Sequence, residues 1–255
     1  MRKVVRLFAA LMLTCVAAAG AAHADQRADF LAGRTRDCKG CDLSGANFKR
    51  HDLSGADLTG ANLQKATFHD ANLSGARLAG ADLTGANLNK ADLRRADLSG
   101  AHLNEAMLYA ANLDAARLTG ADLTDALMGT ARLTRSDLSK AILRAVDLRK
   151  ARLPDAILTG ADLSGAALDF AFLRGAKLDG ASLNEARLIG AECNDASLVG
   201  ADLTDMDAEG AHFTAANFAH ADLSGASFRK GDLYGAMLDE AMFRDTTMPD
   251  GTVRP

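Results

Sequence analysis

The stretch ADLTGANL, residues 56–63, holds one five-residue phrase and the start of its next copy, and the phrase recurs along most of the chain. A helix advances about 100° per residue, so a five-residue step leaves each leucine about 140° from the last and no apolar stripe forms. A flat strand alternates sides with period two, so the same step sends successive leucines to opposite faces. The chain must therefore bend once per phrase. Ala56 and Leu58 are two apart and both point inward, Asp57 points out between them, and Thr59-Gly60 supplies the corner. Bends of about a right angle, always in one direction, let four phrases close a square. The next coil then stacks on it at about 4.8 Å.

The register is unbroken. The central position recurs every five residues from Leu43 to Phe243, which makes 41 repeats. Leu fills 32 of these centres; Phe48, Phe68, Phe213, Phe218, Phe228 and Phe243 fill six, and Met128, Cys193 and Ala208 the rest. Two residues before the centre, Ala occupies 35 positions, the exceptions being Cys41, His51, Ser136, Val146, Met206 and Gly231. At four repeats per turn this predicts about ten coils and a rod on the order of 50 Å long. Helix is the competing reading, since Ala and Leu favour it. The period forbids a continuous apolar face, and the chain's 23 glycines, concentrated at the fifth position, would cut any helix repeatedly.

The tandem A(D/N)LXX motif over residues 41–245 resembles the pentapeptide-repeat family. The resemblance implies an all-β fold, a right-handed quadrilateral β-helix with Leu or Phe at the centre and Ala at the small inward site. For function it implies much less, because one fold hosts many functions.

Residues 1–24, MRKVVRLFAALMLTCVAAAGAAHA, have a basic start, an apolar run and a small-x-small ending at Ala22-His23-Ala24. This reads as a secretory signal peptide cleaved before Asp25, so the chain is expected to be exported, periplasmic or secreted, with no membrane span afterwards. Formal net charge is −4, and loss of Arg2, Lys3 and Arg6 takes it to about −7. With no basic tract and no Trp, direct nucleic-acid binding is not expected.

Residues 25–40 break the period and read as an N-terminal cap, with ADFLAG forming a short helical turn. Residues 246–255 read as a C-terminal cap or tail, with Pro249 and Asp250-Gly251 as stop and turn signals. Cys38 and Cys41 frame C-K-G-C at the first repeat. In an oxidising compartment they form a candidate structural disulfide. A redox pair, and a zinc site with His51, are the alternatives. Cys193, at a central position, reads as a buried small hydrophobe.

If every fourth repeat shares a face, the face that includes repeat 41–45 carries a formal charge of −8, and the next three carry +3, −1 and −2. On the acidic face Asp82, Asp122, Asp162, Asp202 and Asp222 occupy equivalent outward positions, with Glu105, Asp125, Glu185 and Asp205 beside them. Such a ladder solubilises the rod, docks a basic partner, or holds divalent cations loosely; no compact loop gathers the oxygens calcium wants. Some members of the family imitate duplex DNA and engage DNA gyrase. That alternative needs a cytoplasmic chain, and −8 over about 50 Å is sparse beside one charge per about 1.7 Å of duplex.

Met107, Tyr109, Leu127, Ile142, Ile157, Phe170 and Phe172 are apolar residues at outward or corner positions, spread over several faces. Phe170 and Phe172 flank one corner and form a candidate apolar contact for a partner or a second copy in a homodimer. No Ser–His–Asp grouping stands out, and His102 with Glu105 on a convex face makes a poor catalytic site. The expectation is a non-enzymatic rod, without cofactor or metal, that meets an unidentified protein partner through flat faces.

Overall fold

Residue 57 pairs with 77 in a parallel bridge, 77 with 97, and 97 with 117, and the same twenty-residue step links residues 37 through 247. Four repeats therefore make each coil, as the corner chemistry predicts. The computed structural model describes residues 25–255; residues 1–24, read above as a signal peptide, lie outside them.

Each side of the square holds one bridged pair. Leu58 donates its N–H to Arg77 O at 2.7 Å, and Arg77 returns its own to Ala56 O at 2.8 Å. The chain then turns: Gly60 stands at φ +63° and Ala61 N–H closes the turn onto Leu58 O at 3.1 Å. A positive φ at the third turn position is type II geometry, which explains the glycine preference at the fifth site. Three extended residues and two turn residues leave no length for a conventional strand. Among the described residues the only two with consecutive pairing are β1, Thr246–Thr247, and β2, Val253–Arg254, which run antiparallel.

Where Asp or Asn precedes the central residue, as in 20 of the 41 repeats, it has a structural task. Its Oδ1 accepts the N–H of the residue two further on: Asp57 from Thr59 at 3.2 Å, Asn72 from Ser74 at 3.1 Å, Asp137 from Ser139 at 3.0 Å. That N–H has no partner in the stacked coil, and the side chain satisfies it in an Asx turn. In five repeats whose outward residue is neither Asp nor Asn, the previous coil lends the acceptor. Met107, Arg132, Arg187, Ser197 and His212 occupy that position in five repeats. The corresponding N–H groups of Tyr109, Thr134, Ile189, Val199 and Thr214 go instead to Asn89, Asp114, Asp169, Asp179 and Asn194, one coil back.

The centre of the rod is filled by the stacked leucines and alanines, nearly all without solvent contact. Met206 and Ala208 exchange volumes within one repeat, both buried, beside a cluster of Phe213, Phe218 and Phe228 whose ring centroids lie 5.2–5.8 Å apart. Cys193 is buried, and burial pushes its thiol pKa up.

The two ends are closed differently. Residues 25–31 are helical, and Phe30 meets Phe48 edge to face at 5.9 Å. Gln26 and Arg27 donate to the backbone carbonyls of Asp37 and Asp42 in the first coil. This helix covers an edge that would otherwise offer unpaired backbone groups. At the far end β2 folds back along β1, and the Arg254 guanidinium lies 4.5 Å from the Phe243 ring centre.

Candidate functional site

On the acidic face the outward column reads Asp82, His102, Asp122, Ile142, Asp162, Ser182, Asp202, Asp222, each bridged to the next. Interruption by His102, Ile142 and Ser182 keeps most carboxylates two coils apart, on the order of 10 Å, and lowers their mutual repulsion. Every one of the five aspartates uses Oδ1 for its own turn, accepting from Thr84, Thr124, Ser164, Thr204 and Ser224. Only the second oxygen of each faces outward chemistry. For Asp82 and Asp122, partial burial opposes ionisation. Hydrogen bonds from Thr84 and Gln64, and from Asn104 and Thr124, outweigh it, and both carboxyls are held below the usual range. Asp162 is lowered in the same way by Ser164 and Arg144, and Arg144 pairs with it at 2.5 Å. Glu105, Asp125, Glu185 and Asp205 sit at the adjoining corner, all with φ between 56° and 58°.

Phe170 and Phe172 are on either side of a corner but in different surroundings. Phe170 is 53% exposed, at φ 58°, with its ring over Gly190, where an added Cβ would lie 2.8 Å from Cε1. Phe172 is partly buried on the next face, under the Arg152 guanidinium at 5.3 Å. Cys38 and Cys41 are joined in a disulfide, both buried at the start of the core. Among the described residues no cluster of His, Cys, Asp and Glu is arranged to hold a metal ion, and no helix is long and apolar enough to cross a membrane.

The sequence reading scattered the apolar outward residues over several faces. The twenty-residue register does leave Ile142, Ile157 and Phe172 on other faces, and it brings Met107, Tyr109 and Leu127 together on the one whose formal charge is +3. There they line a shallow groove of about 570 Å³ together with Asn89, Gly129 and Arg149. The signal was present in the spacing of residues 107 and 127, twenty apart, and becomes compelling only once the coil length is known.

A continuous core of leucines wound four repeats to the coil, with flat charged faces, defines a solenoid scaffold. Matches to the family model for pentapeptide repeats overlap from residue 37 to 205 and resume over 209–245. The chain belongs to the pentapeptide-repeat family, and with that membership comes the right-handed quadrilateral β-helix. Family members are generally scaffolds without enzymatic activity. The chain is similar to HetL, a pentapeptide repeat protein involved in heterocyst differentiation regulation in the cyanobacterium Nostoc sp. strain PCC 7120. Identity is 36%, coverage 89% of this chain and 96% of HetL, and TM-score 0.68. It also resembles a pentapeptide repeat protein from the Arabidopsis thaliana thylakoid lumen, at 38% identity over 44% of this chain and 70% of that one, TM-score 0.31. QnrB1, a plasmid-mediated fluoroquinolone resistance protein, matches at 24% identity over 77% of this chain and 88% of that one, TM-score 0.29. No curated protein matches the chain.

Proposed function

We propose that the protein is an exported, non-enzymatic rod of about ten coils that binds a protein partner through its flat faces. The observation that carries this reading is the separation of charge. Adjoining faces hold formal charges of −8 and +3, brought together from residues twenty apart. A face of one sign steers and orients a partner of the other. The acidic column from Asp82 to Asp222, with Glu105, Asp125, Glu185 and Asp205, is the surface for a basic partner, and Phe170 with Phe172, at a corner on the other side of the +3 face, is a separate apolar contact. The leader at residues 1–24 supports export, and the disulfide between Cys38 and Cys41 is in keeping with an oxidising compartment.

Fractionation of cells producing the full-length chain, with an intact mass of the soluble product, tests export. A periplasmic species beginning at Asp25 is expected; an uncleaved cytoplasmic species would overturn it and move gyrase binding to the front. Photo-crosslinkers at Asp122, Asp162 and Phe170 then test the scaffold. A discrete crosslinked protein from at least one position is expected, and none from any position would refute it.

A further inference from the structure

The groove on the positive face differs chemically from everything else on the rod. Tyr109 and Leu127 are 53% and 50% exposed, and Met107 is partly buried against them. Tyr109 is held by the 2.8 Å hydrogen bond from its own N–H to Asn89 Oδ1. Its ring lies beside Gly129, where an added Cβ would come within 3.5 Å of Cδ2. The corner that borders the groove has small residues, Ala110 and Thr130, between Lys90 and Lys150. Three carboxylates nearby are already neutralised, Asp92 by Arg94, Asp147 by Arg149 at 2.6 Å and Asp169 by Arg187, while Glu105 and Asp125 stand across the groove at the opposite corner. Lys90 and Lys150 make no ion pair among the described residues, so the groove is an apolar floor between two free ammonium groups.

The spacing of those groups selects a ligand. Lys90 and Lys150 are three coils apart, on the order of 14 Å along the rod axis. In an extended peptide, side chains on one side recur every second residue, and the first and fifth residues are separated by about 13 Å. A segment of the form acidic–x–apolar–x–acidic therefore places a carboxylate at each lysine and its central side chain between Tyr109 and Leu127. The open, shallow shape suits an extended chain better than a small molecule, which buries most of its surface in its pocket. We infer that this groove docks such a segment of a partner protein. The inference deepens the scaffold reading and rests on it, but uses a different face from the acidic column.

The test titrates the purified chain with fluorescein-labelled peptides ESLSE, KSLSK and ESSSE, read by anisotropy at low and at physiological salt. ESLSE is expected to bind at least tenfold more tightly than either control and to weaken as salt rises. Lys90→Glu with Lys150→Glu, and separately Leu127→Ser, should each cost at least tenfold, whereas Lys177→Glu on another face should cost nothing. Circular dichroism confirms that every variant is folded. Equal binding of the three peptides, or indifference to both groove variants, would overturn the inference. So would full competition by phosphatidylglycerol vesicles, which would make the groove a membrane-surface contact. Crosslinks from the acidic face that persist when the groove fails would sink the groove alone; loss of every crosslink would sink the scaffold reading itself.

Discussion

Asn194 accepts a hydrogen bond from the backbone N–H of Thr214, one coil further on, at 3.1 Å. Thr214 needs this help because His212 stands where 20 of the 41 repeats carry Asp or Asn. Asn194→Ala should therefore leave a partly buried N–H unsatisfied and cost about 1 kcal/mol or somewhat more. Adding His212→Asp restores an acceptor within the repeat and should recover most of the loss. Urea denaturation of the two single variants and the double variant reads the coupling directly; additive effects would show that the lent acceptor contributes nothing.

The fifth position of the repeat stands at positive φ whichever residue fills it. Thr130, β-branched, is held at 58°, and Gly120 at 65° with nothing within 4 Å of an added Cβ. Thr130→Gly removes steric strain and should stabilise by up to about 1 kcal/mol after the entropy cost of glycine. Gly120→Val should destabilise by about 1–2 kcal/mol through the backbone alone. Opposite shifts in the urea midpoint are expected, and a stabilising Gly120→Val would contradict the turn assignment.

Acid should loosen the N-terminal coils. Asp57 is only 4% exposed, and it meets Lys39 at 3.0 Å and Arg77 at 2.7 Å. Burial opposes its charge, yet the Thr59 hydroxyl, Lys39, the Thr59 amide and Arg77 prevail and bring its pKa to about 2. A folded pKa below the ordinary aspartate value means stabilisation that is complete above the unfolded pKa of about 4. It is lost as pH falls from there through about 2. Thermal unfolding followed from pH 6 to pH 2 should show that loss, and Asp57→Asn should flatten it. An identical pH profile in the variant would refute the assignment.

Leu123 lies at the centre of the rod with no solvent contact, stacked among the other leucines of its face. Leu123→Ala should cost about 2–5 kcal/mol. Leu123→Asp adds an unpaired charge in the core and should abolish cooperative unfolding or soluble expression. Because each coil contacts only its neighbours, partial protection of distant coils in hydrogen exchange is expected for Leu123→Ala. Uniform loss along the rod would instead indicate a single cooperative unit.

The five-residue period, read from the residues alone, was enough to require a bend per repeat, an inward Ala and Leu, and a square coil. Those follow from local sterics, since a side chain's direction depends only on its neighbours along the chain. The resemblance of the motif supplied the handedness. The structural task of the outward Asp and Asn was less visible. Asp57 and Asp122 look like solvated acids in a sequence, and their bond to the N–H two residues on exists only once the corner is formed. The lending of Asn194 or Asp114 across a coil, and the meeting of Met107, Tyr109 and Leu127 in one groove, join residues about twenty apart. Only the tertiary structure decides such contacts, because coil length and stacking register determine which distant side chains share a face.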